Sequence, residues 1–255
     1  MNYMTAAQTD IGTRKKTNQD SMIVMQAATD RGQVLLASVC DGMGGLAKGE
    51  VASAAMVRAL EFWFTQKLPQ LLEEGFEEEK LWTQWKVLVE ETNERISNYG
   101  STHHTALGTT CVAILLIDNK YYVLNVGDSR AYLLEDTIYQ LTKDQTYVQR
   151  EMDAGRMTYE QSLKDPYRSV LLQCIGASHI VNPVFNQGQF EPGTVFMLCC
   201  DGFRHVVLPE ELYQAFRPDL MKSTEIMKNR IADMIKLNIR RNEEDNISAI
   251  LVKTY

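Results

Sequence analysis

The distribution of apolar residues predicts a protein with many β-strands and a few long helices. Apolar runs of strand length, several of them unbroken, occur at residues 21–25, 34–40, 110–117, 121–125, 131–134, 137–141, 195–200 and 247–252. Turn residues at Asp118-Asn119 and Glu135-Asp136 are expected to join two pairs of these runs into hairpins.

Apolar residues spaced three and four apart predict long helices over residues 50–67, 81–99 and 224–239, and a shorter one over 147–154. Ser223 is a suitable N-cap for the third of the long helices. The residues expected on the buried face of the first are Val51, Ala55, Ala59, Phe62 and Trp63.

The order of these elements indicates the fold class. Strands and helices do not alternate as they would in a doubly wound parallel sheet, so we expect an α+β fold with antiparallel sheets covered by helices. No internal repeat, low-complexity segment or linker divides the chain, which favours a single domain over residues 1–255. Residues 142–190 are the least regular part and are expected to form an excursion over a site.

Composition and charge exclude several classes of partner. The chain has 255 residues, a net charge of −7 and a pI of about 5.2, which argues against binding to nucleic acid or to an anionic membrane. There is no span-length apolar stretch, and the first residues do not resemble a signal peptide. The five cysteines have no CxxC spacing and are expected to be buried thiols in a reducing compartment. We expect a cytoplasmic monomer.

Acidic residues follow or precede several of the predicted strands. Asp41-Gly42 and Asp201-Gly202 each end a strongly apolar run. Three further acids lie beside strand ends: Asp20, Asp128 and Asp245. Any one Asp-Gly pair is more typical of a turn than of a ligand site. Together, however, these acids predict a site for a hard divalent cation, Mg²⁺ or Mn²⁺, because oxygen ligands suit these ions better than zinc.

The order of the motifs resembles that of the metal-dependent PP2C-type (PPM) serine/threonine protein phosphatases, in their compact bacterial branch. The matching motifs, which extend over about residues 10–252, are GTRKKTNQD, CDGMGGLAKGEVAS, LGTT, NVGDSRAYLL, LTKDQT, CCDGF and EDNIS. The resemblance implies a four-layer αββα sandwich, with two central antiparallel β-sheets flanked by helices and a binuclear metal centre at one edge. It also identifies residues 142–190 with the family's flap.

The resemblance assigns roles to individual residues. Asp41 would bridge two metal ions and act in catalysis, and the Gly42 carbonyl would ligate the second ion. Asp201 and Asp245 would complete the shell of the first ion, and Asp20 would lie near the second.

The implied reaction is hydrolysis of phosphoserine and phosphothreonine by a water or hydroxide that bridges two Mn²⁺ or Mg²⁺ ions. In bacterial relatives, the acid that matches Asp128 can also hold a third, weaker ion together with the acid that matches Asp201. Phosphorylated proteins, including a serine/threonine kinase and its substrates, are the implied partners.

The basic residues near the start of the chain depart from the family pattern. The position of the phosphate-binding arginine is Lys15, which is flanked by Arg14 and Lys16. A lysine binds phosphate as a point charge and lacks the bidentate fork of arginine. A small bulge would bring Arg14 into place, so Arg14 is preferred slightly over Lys15.

Other departures concern the metal site and proton transfer. Gln19 replaces a glutamate beside Asp20, and Met43 stands where many eukaryotic relatives have a histidine. His103 and His104 are expected to be exposed, and His205 to be noncatalytic.

Two other functions stay open at this point. One is a noncatalytic module that keeps the fold, which Gln19 and the shifted basic residue favour. The other is a metal-dependent hydrolase of small phosphorylated metabolites. The sequence lacks the CxxxxxR loop of cysteine-dependent phosphatases and the GxxxxGK[ST] loop of many NTPases.

Overall fold

The computed structural model describes residues 1–44 and 48–255, and its core is a pair of antiparallel β-sheets. The strands are β1 (Tyr3–Asp10), β2 (Ser21–Thr29), β3 (Gly32–Cys40), β4 (Gly42–Gly44), β5 (Leu107–Thr109), β6 (Cys111–Ile117), β7 (Lys120–Val126), β8 (Arg130–Leu134), β9 (Ile138–Gln140), β10 (Val184–Gln189), β11 (Val195–Cys199) and β12 (Ile247–Thr254). Their order is β1-β12-β11-β8-β9 in one sheet and β10-β7-β6-β3-β2 in the other, and β4 pairs with β5 in a separate ribbon.

Helices cover both outer faces of the sheet pair. They are α1 (Gly49–Phe62), α2 (Leu68–Glu73), α3 (Glu78–His103), α4 (Tyr147–Asp153), α5 (Tyr159–Ser162), α6 (Pro209–Phe216) and α7 (Thr224–Arg240). A π-helical turn at Trp63–Lys67 joins α1 to α2, and a 3₁₀ turn at Pro218–Leu220 follows α6.

The alternation of side chains along β3 shows why its apolar run is unbroken. Leu35, Ala37 and Val39 join the core between the sheets, which also includes the buried faces of α6 and α7. Val34 and Leu36 point the other way and pack with the buried residues of α1 and α3. Both faces of β3 are therefore covered, and the resulting layers form the predicted αββα sandwich.

The helix predictions are confirmed in part. Ser223 caps α7 by accepting a hydrogen bond from the Ile226 N–H at 3.2 Å. The predicted buried face of the first helix is confirmed only in part: Trp63 is buried and Val51 and Ala55 are partly buried, whereas Phe62 is 59% exposed. The most buried positions of the helix are Ala52, Met56 and Leu60. Two apolar stripes run one residue apart along this helix, and spacing alone did not show which one faces the sheet.

Residues 142–190 contain α4 and α5, and they also contain a strand that the apolar pattern did not predict. Strand β10 pairs antiparallel with β7 at the edge of its sheet. Most of its side chains are polar or exposed, as is common for an edge strand, which explains why the pattern gave no signal. Among the residues described, no helix has the length and apolar character needed to cross a bilayer.

Candidate metal centre

The acidic residues predicted from strand ends meet in one place. Asp41 and Asp201 follow β3 and β11, while Asp20 and Asp245 precede β2 and β12. Burial raises the pKa of Asp41 well above its usual range, and the charges of Asp20, Asp201, Asp245 and Asp128 raise it further. Asp41 is therefore the centre of a cluster of carboxylates from both sheets.

Two carboxylate oxygens in this cluster are buried and have no hydrogen-bond partner within residues 1–44 and 48–255. Asp20 accepts a hydrogen bond from Ser248 Oγ on Oδ2 at 2.5 Å, but its Oδ1 has none. Asp201 contacts His205 Nε2 through Oδ2 at 3.2 Å, and its Oδ1 likewise has none. A buried carboxylate oxygen without a donor is unfavourable unless a cation binds it. These residues thus fit the hard divalent ions that the family implies.

The proton affinities of the cluster support this fit. The pKa of Asp20 is raised to about 7, because burial outweighs the hydrogen bonds from Ser248 and Cys200. Burial also acts on Asp201, but His205, Arg204 and a hydrogen bond from Asp41 outweigh it and lower its pKa. Burial and the neighbouring carboxylates thus oppose the ionisation of Asp20 and Asp41. A bound divalent cation would supply positive charge that favours their ionised forms.

The glycines after Asp41 and Asp201 allow the surrounding backbone segments to approach each other closely. A Cβ on Gly42 would lie 2.3 Å from the Gly49 carbonyl oxygen and 2.4 Å from that of Gln19. A Cβ on Gly202 would lie 2.2 Å from the Asn246 carbonyl oxygen. Any larger residue would push these segments apart, so the Asp-Gly pairs serve the packing of the cluster and not only a turn.

Two threonines of the LGTT motif hold the backbone of Asp41. The Asp41 N–H donates to Thr110 Oγ1 at 3.0 Å, and the Asp41 carbonyl accepts from the Thr110 N–H at 2.9 Å and from Thr109 Oγ1 at 3.0 Å. Thr109 ends β5 and Thr110 follows it. Sequence reasoning used this motif only for the resemblance and did not find its positioning role.

Asn246 is a second residue whose role sequence reasoning missed. Its amide donates to the carbonyl oxygens of Ile11 and Thr17 at 2.9 and 3.3 Å, and its Oδ1 accepts from the Gln19 N–H at 2.8 Å. Asn246 therefore fastens the basic loop 11–19 to the start of β12, beside Asp245. The sequence marked Asn246 only as part of the EDNIS motif, and its hydrogen bonds to loop 11–19 are visible only in the structure.

The structure separates the two basic residues proposed to bind phosphate. Lys15 Nζ lies 2.8 Å from Asp245 Oδ1, and the charges of Asp245, Asp41 and Asp201 raise its pKa although burial opposes this. The Arg14 side chain is 74% exposed and pairs with Glu244 at 2.7 Å. The preference for Arg14 is therefore not supported by the geometry, because loop 11–19 turns Arg14 outward and Lys15 inward.

The Asp128 end of the cluster has a different environment. Asp128 is 5% exposed, and Arg204 donates to its carbonyl oxygen at 2.9 Å and lies 3.5 Å from its Oδ2. Arg204 also contacts Asp144 at 3.2 Å, and Arg130 forks onto both oxygens of Asp144 at 2.7 Å. The pKa of Asp128 is raised to about 7 by burial and by Asp201, although Arg204 opposes the shift.

The remaining sequence candidates do not add ligands. The cysteines are free and buried, as expected. Cys200 Sγ lies near Asp20 and Asp41, but burial followed by the charges of Asp20, Asp41 and Asp201 raises its pKa well above the usual value and keeps it a thiol. His103 and His104 are exposed at the end of α3. Gln19 Nε2 donates to Glu50 Oε2 at 3.3 Å.

Comparison with known proteins identifies the family of the chain. The family model described as "Protein phosphatase 2C" matches residues 11–239. The serine/threonine protein phosphatase PstP of Mycobacterium tuberculosis is 31% identical over 96% of this chain, which spans 44% of that protein. The serine/threonine phosphatase stp of Listeria welshimeri is 29% identical, over 96% of this chain and 93% of that protein.

Solved structures share the fold along the whole chain. The serine/threonine phosphatase of S. agalactiae superposes with a TM-score of 0.86 at 25% identity, covering 100% of both chains. The catalytic domain of PstP, in complex with two manganese ions, gives a TM-score of 0.76 at 29% identity and covers 98% of this chain and 97% of that chain. Sequence and structure agree, and the chain belongs to the protein phosphatase 2C family.

Proposed function

We propose that this chain is a metal-dependent serine/threonine protein phosphatase. The observation that carries the proposal is the pair of buried oxygens of Asp20 and Asp201 that lack a hydrogen-bond partner among the described residues, close to the buried Asp41. Family membership supports the reaction class. The proposal takes residues 1–255 as one phosphatase domain, with residues 142–190 as its flap.

Two Mn²⁺ or Mg²⁺ ions are proposed to bind at the Asp41 end of the cluster. The residues that would hold them are Asp20, Asp41, the Gly42 carbonyl, Asp201 and Asp245. When bound, such ions lower the pKa of water and offset the charge on phosphoryl oxygens. The carboxylate-rich donor set supports oxygen-seeking divalent ions, and the manganese-bound PstP domain is consistent with Mn²⁺.

Lys15 is proposed to bind the phosphate of the substrate. Its ammonium group is half-buried at the rim of the cluster and is held there by Asp245. The charges of Asp41 and Asp201 keep it protonated, so it offers a positive charge where an incoming phosphoryl group needs one. Arg14 faces Glu244 at the surface and has no part in this step.

Phosphorylated proteins are the proposed substrates, including those of a serine/threonine kinase. The names of the relatives support this class, since PstP and stp are both described as serine/threonine phosphatases. A cytoplasmic location is proposed from the free, buried cysteines, which fit a reducing compartment.

Phosphate release from a phosphothreonine peptide tests the proposal, with Mn²⁺, Mg²⁺ or EDTA and with Asp245→Asn beside the native protein. We expect release with either metal, none with EDTA and a strong loss in the variant. Glu244→Gln is the matched control, because it changes the neighbouring acid, whose side chain is 52% exposed and paired only with Arg14. A folded native protein that releases no phosphate with any metal would favour a noncatalytic module. Turnover of small phosphorylated metabolites with none of the peptide would favour a metabolite hydrolase.

A further inference from the structure

The Asp128 end of the cluster is where a third ion is expected from the resemblance, with Asp128 and Asp201 as ligands. The structure places fixed cationic side chains there. Arg204 Nη2 lies 3.5 Å from Asp128 Oδ2 and 3.2 Å from Asp144 Oδ2, and its side chain is only 11% exposed. A guanidinium group is always charged in a protein, so this position already holds a permanent positive charge.

Carboxylate and guanidinium groups are paired at this end without any ion. Two carboxylates, Asp128 and Asp144, face two guanidinium groups, Arg204 and Arg130. The Arg130–Asp144 pair is bidentate, with both contacts at 2.7 Å, which is the strongest geometry for such a pair. An ion bound at Asp128 would add positive charge beside Arg204 rather than neutralise a free carboxylate.

The second ligand expected for a third ion is also engaged. Asp201 Oδ2 contacts His205 Nε2 at 3.2 Å. Its other oxygen, Oδ1, has no hydrogen-bond partner among the described residues. Asp201 is therefore already engaged through one of its two oxygens.

Lack of space would not keep a third ion away from Asp128. Asp128, Arg204 and Asp144 line a cavity of about 530 Å³ between the core and the helices of the 142–190 segment. An ion could reach Asp128 through this cavity. The obstacle is the charge of Arg204 and not a lack of space.

We propose that Arg204 is the resident cation of the Asp128 end and takes the place of a third divalent ion, so that the enzyme works with two ions. This inference rests on the proposed metal-dependent function. Asp128 then acts as a positioning residue: it holds Arg204, which in turn holds Asp144 and the base of the 142–190 segment.

Counting bound manganese tests the inference independently of activity. EDTA-stripped protein is dialysed to equilibrium against MnCl₂, and bound manganese is measured by mass spectrometry for the native chain and its variants. We expect two ions in the native chain, two in Asp128→Asn and three in Arg204→Ala. Arg168→Ala is the matched control, because Arg168 lines the same cavity but donates only to the Leu163 carbonyl, and it should bind two.

Each other outcome is decisive. Three ions in the native chain and two in Asp128→Asn would overturn the inference and leave the proposed function intact. Two ions in a folded Arg204→Ala variant would also overturn it, because Arg204 would not be what excludes the third. No bound ion in the native chain would overturn the proposed function itself, and the inference with it. If Arg204→Ala does not fold, Arg204→Lys should retain two ions, and the native and Asp128→Asn counts still decide.

Discussion

The two ends of the acidic cluster neutralise their charge in opposite ways. At the Asp41 end, Asp20 and Asp201 each have a buried oxygen that lacks a hydrogen-bond partner in the part of the chain that the structure describes. Lys15 pairs there with Asp245. At the Asp128 end, Arg204 pairs with Asp128 and Asp144, and Arg130 pairs with Asp144. The first arrangement needs added cations, whereas the second is complete in the folded chain.

The Asp41 end therefore contributes mainly to metal binding, and the Asp128 end contributes mainly to folding stability. Buried acids without partners cost folding free energy until an ion binds, and such unfavourable arrangements are typical of functional sites. Buried acids with arginine partners stabilise the fold only as long as both partners are present. Substitutions at the Asp41 end should therefore mainly lower activity, whereas substitutions at the Asp128 end should mainly lower the free energy of unfolding.

Asp41→Asn should have the largest effect on activity. It removes the carboxylate at the centre of the ion-binding end, so phosphate release should fall by about 1000-fold or more. In EDTA the variant should melt at a higher temperature than the native protein, because an uncompensated buried acid is gone. A lower melting temperature in EDTA would contradict the assignment of this end, and parallel assays of release and thermal unfolding measure both effects.

Asp144→Asn should show the reverse signature. Its side chain is 8% exposed and pairs with two arginines, so its loss should destabilise the fold by roughly 3 kcal/mol. Manganese affinity at the Asp41 end should change little. Urea unfolding with and without Mn²⁺ measures both quantities; a variant as stable as the native chain would show that the Asp128 end is not held by these pairs.

Lys15→Ala and Arg14→Ala form a matched pair of adjacent basic residues. Lys15→Ala should lower kcat/KM for a phosphopeptide by roughly 10- to 100-fold, since a charged contact to the phosphate is lost. Arg14→Ala should change it less than about 2-fold, because the Arg14–Glu244 pair is exposed. A larger loss for Arg14 would restore the preference drawn from the sequence.

The gain in melting temperature from Mn²⁺ should be larger at pH 8 than at pH 5. The folded pKa of Asp20 is about 7, above its unfolded value near 4, so the ion-free fold loses stability as pH rises from about 4 to about 7 and does not regain it above. Bound ions remove this loss, whereas protons compete with them at pH 5. The expected difference is several degrees.

Asp20→Asn is the control for this titration, because it removes one titrating group and should reduce the pH dependence in EDTA, to which Asp128 and Asp41 also contribute. Equal Mn²⁺ gains at both pH values in the native protein would contradict the raised pKa of the cluster.

Much of the fold follows from residue patterns. Strands β3, β6 and β11 are buried on both faces, so their apolar runs are unbroken and were predicted. Strands β1 and β10 mix exposed and partly buried positions, and their patterns gave no clear period. Strands β4 and β5 are three residues each, too short for periodicity to register.

The candidate site was predicted only as far as local signals allow. An acid followed by glycine after an apolar run located Asp41 and Asp201, because sheet ends bring such residues together. The Arg204–Asp144 contact joins residues 60 apart in the chain, and no local pattern marks it. Whether Arg14 or Lys15 faces the acidic cluster depends on the conformation of loop 11–19. Adjacent residues of this loop point in different directions, and their sequence does not show which one points inward.

The central claim is that two ions bind at the Asp41 end and none at the Asp128 end. Anomalous diffraction at the manganese edge, from crystals grown with saturating MnCl₂, tests it most directly. The account predicts two anomalous peaks in contact with the Asp41 carboxylate and none in contact with Asp128. A peak between Asp128 and Asp201, or no peak at Asp41, would contradict it.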